Sequence, residues 1–444
     1  MTGRPLPPGI IVAAPASGSG KTTVTLGLVR RLALDGVRVA SLKVGPDYID
    51  PAFHAAAGGL PCRNLDAWAM RPSTLARVLS DTASAKPELV VVEGVMGLFD
   101  GAADGTGSTA DIAASTGWPV VLVVDVRGQA ASAAALVRGF ASHRPDVRIA
   151  GVVFNRVGGE KHRRMLDAAL APLGIPVFGA LPRDAALAVP DRHLGLVQAM
   201  EHADLDGFLD RAAAAVGAGL DLAALRSAAA VGRSPGSAVE TGEASLRPPG
   251  QRIAVAEDEA FAFFYTHVAE AWHRAGATLV PFSPLADHAP DSRADAIWLP
   301  GGYPELHAGR LAAAGRFRAG LAAAVERGAA VHGECGGFMV LGQGLVDADG
   351  RRHGMAGLLP VETSFADRRL HLGYRRVRLA ADGPLGPGGT FVAAHEFHYA
   401  RLTGSDGGDP LFDAVTDAEG RELGPAGVRI GRVGGSFLHL IDRA

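Results

Sequence analysis

Two short segments carry residue types whose spacing suits catalysis. The first is Pro15-Ala16-Ser17-Gly18-Ser19-Gly20-Lys21-Thr22-Thr23. It follows the phosphate-loop pattern G-x-x-x-x-G-K-[ST], except that Pro15 stands where the first glycine would be. Gly18 and Gly20 let the backbone approach phosphate oxygens, and their N–H groups add to the positive end of the helix that follows. Lys21 is spaced to pair with the β- and γ-phosphates of ATP, Thr22 and Thr23 complete the loop, and the Thr22 hydroxyl suits Mg²⁺. A Gly/Ser loop with an incidental lysine is the plainer reading. It is disfavoured because strand, glycines, Lys-Thr-Thr and helix all agree.

Carboxylates expected at the same edge strengthen the phosphate reading. Glu93 ends the apolar run Leu89–Glu93 and so lies at the C-terminal tip of a buried strand, where ligands bind in open α/β sheets. Asp47 and Asp50 fall in Lys43-Val44-Gly45-Pro46-Asp47-Tyr48-Ile49-Asp50-Pro51, just after another strand-like run. Thr22, Asp47 and Glu93 are the candidate metal ligands. Lys43, Tyr48, Asp50 and Asp100 are candidates for the substrate side of that site. Aspartates also cap turns, and for Asp104 that reading is equally good.

The second segment is Val331-His332-Gly333-Glu334-Cys335-Gly336-Gly337-Phe338. It reads as a strand, a tight turn with cysteine at its apex, and a helix. A helix N-terminus there predicts a lowered thiol pKa. Such a nucleophile needs a histidine base distant in sequence. His439, in Gly434-Gly435-Ser436-Phe437-Leu438-His439-Leu440, is the foremost candidate. His395 and His398 compete with it or contact substrate. The N–H groups of Leu299-Pro300-Gly301-Gly302-Tyr303-Pro304-Glu305, Gly302 above all, are expected to form an oxyanion hole with Gly336. A buried inert thiol is the commoner fate of cysteine. Flanking glycines argue against that fate at Cys335, and nothing does at Cys62.

These residues need a scaffold, and the hydrophobic pattern supplies one. Strand-like runs at 9–14, 37–43, 89–93, 120–126 and 149–155 alternate with helical stretches such as 22–34 and 72–82. Continuous apolar runs of this kind suit parallel strands buried on both faces. The alternation predicts an N-terminal doubly wound α/β domain with a parallel sheet, over residues 1–231. Residues 232–250 are rich in Gly, Ser, Pro and Glu and read as a linker. A second α/β domain is expected over 251–444, with strands at 252–256, 278–282, 296–299 and 329–333.

Composition narrows the function classes. The chain has 444 residues, which favours two domains, and its 48% hydrophobic and 20% charged residues make an ordinary globular balance. A net charge of −3 with no basic run gives a nucleic-acid partner no electrostatic support. Apolar stretches are short and interrupted, so no membrane span is expected. Met1–Pro8 does not read as a signal peptide. Two cysteines exclude a disulfide scaffold and fit a reducing cytoplasm.

The motifs together resemble a known family. Gly333-Glu334-Cys335-Gly336-Gly337 with Pro300-Gly301-Gly302-Tyr303-Pro304-Glu305 resembles class I glutamine amidotransferases. That class usually has a glutamate two residues after its catalytic histidine. Ile441 stands there instead, a loss similar to that of the cobyric-acid-synthase-like branch, which works with a Cys–His pair. The first half resembles dethiobiotin synthetase and its P-loop relatives. Val153-Phe154-Asn155-Arg156-Val157 resembles their nucleobase segment, which implies that Asn155 reads adenine. The full order, with 45–51 and His395–Tyr399, resembles the cobyrinic/hydrogenobyrinic acid a,c-diamide synthase family over essentially the whole chain.

The resemblance implies a carbon–nitrogen ligase of cobalamin biosynthesis, with ATP and glutamine as co-substrates and Mg²⁺ as cofactor. Its implied partners are small molecules: a corrin-type macrocycle, ATP and glutamine. A cytoplasmic homodimer is the assembly it suggests. Hydrogenobyrinate is the expected macrocycle, from resemblance to Ala- and Arg-rich bacterial relatives. Cobyrinate and a nickel sirohydrochlorin are the rival substrates. A non-catalytic P-loop regulatory module is the rival from another class, and it would have no use for the cysteine elbow.

Overall fold

The computed structural model describes residues 5–187, 191–192, 195–235, 245–405 and 407–444. The chain divides into two compact units, with Ala69–Arg71 grouped with the second. The boundary between the units falls within 236–244, outside the described residues. The first part of the expected linker is more ordered than its composition suggests. Gly232 and Arg233 end a strand, Ala230–Arg233, that pairs antiparallel with the start of strand Pro5–Ala13. At the other end of that segment, the Leu246 carbonyl accepts the Trp272 indole N–H at 3.2 Å.

The first unit is built on parallel strands in the order Arg63–Leu65, Val39–Val44, Leu89–Glu93, Pro5–Ala13, Val120–Asp125, Ile149–Val157, Val177–Pro182. Leu89–Glu93 is buried along its whole length, as its β-branched Val-Val-Val core requires. Register matters more than composition here. Lys43 pairs with Glu93 in one ladder, and Glu93 with Val12 in the next, so three adjacent strand tips meet where the phosphate loop leaves the sheet. The helix Lys21–Leu34 follows that loop directly. It packs closely on helix Leu205–Gly219: a side chain at Gly27 would strike the Ala212 carbonyl at 2.6 Å.

The second unit has a sheet in the order Thr278–Phe282, Arg252–Ala256, Ala296–Leu299, Ala330–Glu334, Val433–Ser436, Val428–Ile430. All its neighbours are parallel except the last pair. Two four-stranded sheets complete the unit. One is antiparallel and runs Phe412–Asp417, His371–Leu379, Phe391–His398, Leu438–Arg443. Its ladder sets His395 opposite His439. Among the described residues no helix is long and apolar enough to cross a membrane.

Candidate functional site

At the phosphate site the loop is held open by its neighbours. Gly20 caps helix Lys21–Leu34 with φ of 88°, in the left-handed region, and the Asn155 amide leaves no room for a side chain there. Asn155 Nδ2 donates to the Ser19 carbonyl at 2.9 Å, and Arg156 Nη1 donates to the Gly18 carbonyl at 2.7 Å and to Asp125 at 2.6 Å. Both residues sit at the tip of strand Ile149–Val157, and Arg156 itself adopts φ of 63°. Two loop carbonyls are thereby tied down, which leaves the loop's N–H groups to face an anion.

Lys21 is buried and donates from Nζ to the Met96 carbonyl at 2.6 Å. Burial lowers its pKa below the usual lysine range, against the pull of Glu93. Behind it lies a buried ionic cluster. Lys43 Nζ donates to Asp50 at 2.5 Å and to Glu93 Oε1 at 3.0 Å, with Asp47 at 3.9 Å. Thr22 Oγ1 donates to the same Glu93 Oε1 at 2.6 Å, and His54 Nε2 meets Glu93 Oε2 at 2.6 Å. Burial opposes the Lys43 charge, but Asp50, Glu93 and Asp47 outweigh it and raise its pKa. Burial likewise opposes ionisation of Glu93. Lys43, His54 and Thr22 override it and hold that carboxyl below the usual range. Asp50 goes the other way: burial and the adjacent Asp47 push its carboxyl up.

The donor set fits Mg²⁺. By donating its proton to Glu93, the Thr22 hydroxyl keeps its lone pairs for a cation. Glu93 and Asp47 offer carboxylate oxygens beside that hydroxyl, so every ligand on offer is a hard oxygen.

Several residues stand differently from expectation. Asn155 also braces the loop: Nδ2 donates to the Ser19 carbonyl and Oδ1 accepts the Arg156 N–H at 3.0 Å, which leaves one N–H and one lone pair of the amide for a base. Thr23 donates its hydroxyl to the Leu187 carbonyl at 3.0 Å. Lys43 is wholly enclosed by carboxylates and orders them rather than reaching towards substrate. Asp100 accepts the Gly97 N–H at 2.8 Å and so shapes the loop carrying Met96. Asp47 accepts the N–H groups of Ile49 and Asp50 at 2.8 and 3.0 Å, with Tyr48 half-buried between them. Asp104 takes the turn-capping option, accepting from Thr106 at 3.0 and 2.8 Å. Sequence reading passed over two residues. Asn64 Nδ2 pins the Asp47 loop through the Gly45 and Asp47 carbonyls at 2.9 and 2.6 Å. His54 carried one signal, its place four residues after Asp50 on helix Asp50–Gly58, which puts both on one face.

In the second unit the elbow is as expected. Cys335 has φ of 46° and ψ of −104° and opens the helix Gly336–Leu341. Few non-glycine residues hold positive φ, and the surrounding packing enforces it. Its N–H donates to the Ser436 carbonyl at 2.8 Å, and Gly337 N–H to the Pro300 carbonyl at 3.1 Å. A side chain at Gly336 would meet the Gly302 nitrogen at 3.1 Å, so Gly302 and Gly336, next to Cys335 in sequence, lie against each other. His439, three residues after Ser436, points the Cε1 edge of its ring at Gly301, where no side chain fits. The same Gly301–Gly302 turn therefore meets both the histidine and the oxyanion-hole candidates.

The protonation states differ from the expected thiolate. Burial pushes the Cys335 thiol up, with the charge of Glu305 adding to it, and the helix N-terminus does not overcome them. Burial, with His395 and His398 nearby, pulls His439 down to about 3. Burial thus favours the neutral thiol of Cys335 and the neutral imidazole of His439. Glu334 is buried, its pKa is raised to about 8, and its Oε1 accepts the Leu440 N–H at 2.8 Å, next to His439 in sequence. His398 faces acceptors on both nitrogens, Ala400 O at 2.9 Å and Glu396 Oε1 at 3.0 Å. His395 stands directly across the ladder from His439, with Tyr374 against its ring. Cys62 is buried in the first unit, its thiol pushed up to about 12 by burial.

The CobQ/CobB/MinD/ParA nucleotide binding domain family matches residues 10–197, and the CobB/CobQ-like glutamine amidotransferase domain family matches 252–443. The chain is 56% identical over 440 residues to a protein of Sinorhizobium sp named hydrogenobyrinate a,c-diamide synthase, spanning 98% of this chain and 99% of that one. Proteins of the same name from Brucella abortus biovar 1 (strain 9-941) and Mesorhizobium japonicum (strain LMG 29417 / CECT 9101 / MAFF 303099) are 56% and 53% identical, each over 98% of both chains.

Proposed function

The chain belongs to the cobyrinic/hydrogenobyrinic acid a,c-diamide synthase family, and we propose that it amidates the a and c side-chain carboxylates of hydrogenobyrinate, using ATP and glutamine. The observation that carries the reading is the pairing, in one chain, of a phosphate loop whose Thr22 donates to Glu93 with an elbow cysteine in a separate unit.

The chemistry follows from the residues. A carboxylate is a poor electrophile, so one oxygen of the macrocycle carboxylate attacks the γ-phosphorus of ATP and ADP leaves. Lys21 and the loop N–H groups balance charge on the transferring group. Thr22, Glu93 and Asp47 would hold Mg²⁺, which neutralises phosphate charge when bound. Lys43 and His54 fix the carboxylates; Asn155 and Arg156 fix the loop. In the other unit Cys335 gives its proton to His439 as its sulfur adds to the glutamine amide carbon. Gly302 and Gly336 N–H groups receive the oxyanion. Ammonia leaves, and water hydrolyses the thioester to glutamate. Ammonia then attacks the acyl phosphate and phosphate departs, leaving the amide. Ammonia in neutral water would mostly become ammonium, which favours its sequestered transfer. The two thiols fit a cytoplasmic enzyme.

The test is phosphate release assayed with glutamine and ATP across hydrogenobyrinate, cobyrinate and nickel sirohydrochlorin. Release that requires both glutamine and hydrogenobyrinate, at two phosphates per macrocycle, is expected. Release indifferent to any macrocycle would refute the assignment, and preference for another macrocycle would correct the substrate.

A further inference from the structure

We propose that His54 is a positioning residue of the phosphate site: its Nε2–H holds the Glu93 carboxylate in the orientation that serves a divalent cation beside Thr22. The inference rests on the reading of Thr22 and Glu93 as the metal edge of that site.

His54 is fully buried, as is Glu93, and the two meet at 2.6 Å. An ionised carboxylate can only accept hydrogen bonds. The short contact therefore sets the tautomer, with the proton on Nε2. The other ring nitrogen, Nδ1, is buried and has no hydrogen-bond partner among the described residues. A phenylalanine or leucine would fill the same space without stranding a polar atom. Among the described residues the bond to Glu93 is the one hydrogen bond this ring makes.

That bond divides the labour of the carboxylate. Oε1 serves Thr22 and Lys43, and Oε2 is held from behind by His54. A carboxylate fixed at both oxygens cannot rotate when phosphate and cation arrive. Such outer partners of metal sites set ligand orientation, and losing one typically weakens metal binding by about 10- to 100-fold. His54 comes to Glu93 on helix Asp50–Gly58, one turn after Asp50, which reaches the same carboxylate through Lys43. One short helix thus steadies Glu93 by two routes.

The test titrates Mn²⁺ into the full-length protein with a non-hydrolysable ATP analogue, following free Mn²⁺ by electron paramagnetic resonance. His54→Leu should weaken Mn²⁺ binding by about 10- to 100-fold. His54→Asn, whose amide stops short of Glu93, should do the same. His54→Gln, whose amide nitrogen reaches the Nε2 position, should recover most of the affinity. Thermal unfolding checks that each variant is folded; if the leucine variant is not, the asparagine–glutamine contrast carries the test. Wild-type Mn²⁺ affinity in folded His54→Leu or His54→Asn overturns the proposal, and so does equal affinity in the Asn and Gln variants. Glu93→Ala separates the two layers. If it keeps Mn²⁺ binding, the metal reading itself falls. If it loses binding while the His54 variants keep it, only the positioning role falls.

Discussion

Burial acts differently on Glu93 and Lys43 at the phosphate site than on Cys335, His439 and Glu334 at the thiol site. Around Glu93, burial is overridden: Lys43, His54 and Thr22 keep the carboxylate charged, and its neighbours in turn keep Lys43 charged. Around Cys335, burial prevails: thiol, His439 and Glu334 are all driven towards their neutral forms. Glu93 and Lys43 thus stand with their charges preset and need no reorganisation as charge develops on a phosphoryl group, while burial still works against the charges of Lys21 and Asp50. The proposed Cys335–His439 ion pair would have to form during the reaction, in a place that disfavours ions. No glutamate follows His439 at position 441 to stabilise an imidazolium. A weak basal glutaminase is the natural consequence.

The strongest way to break this comparison is to cross it. Cys335→Ser should abolish glutamine-driven amidation below detection and leave ammonia-driven amidation near wild type. Lys21→Ala or Glu93→Ala should lower amidation by on the order of 10³-fold with either nitrogen source, because charge is removed from phosphoryl transfer in both cases. Steady-state rates with glutamine and with ammonium chloride, side by side, measure it. Near-normal turnover of Lys21→Ala would mean the loop does not bind phosphate. Retained glutaminase in Cys335→Ser would move the nucleophile elsewhere.

A smaller effect sharpens the thiol side. His439→Asn should cut glutaminase activity by about 10²–10⁴-fold, the usual worth of a general base. His398→Asn should change it little, since both His398 nitrogens are already engaged with Ala400 and Glu396. Glutamate release by each variant decides between them, and the reverse pattern would assign the base to the wrong histidine.

The smallest effect is on stability and tests whether burial really governs this site. The Glu334 carboxyl ionises near 4.5 when exposed and near 8 in the fold. Its stabilising contribution is therefore fully present below about pH 4.5 and is lost as pH rises through about 8, at about 1.4 kcal/mol per pH unit between them. Glu334→Gln keeps an oxygen for the Leu440 N–H and does not ionise. The melting temperature of the wild type should fall relative to this variant between pH 5 and pH 8. Parallel melting curves across that range would show that Glu334 is better solvated than its burial indicates.

The sequence by itself determined the elements and the local motifs. Leu89–Glu93, Arg252–Ala256, Thr278–Phe282 and Ala296–Leu299 have the limits read from their apolar runs. Lys21, Thr22 and Cys335 stand at strand-to-helix turns legible from neighbouring glycines and hydrophobic periodicity. Those signals are local, since a buried strand must be apolar and a tight turn must admit its backbone angles. Tertiary structure decided what the side chains do. That Glu93 answers to His54 and Lys43, 39 and 50 residues away, depends on strand register and helix placement. That Asn155 braces the loop follows from where its strand ends beside Ser19. The thiol's proton was the least legible of all. A helix N-terminus can be read from a few residues, but the burial that outweighs it comes from packing against segments more than sixty residues away, such as Phe397, whose carbonyl lies 3.7 Å from the sulfur.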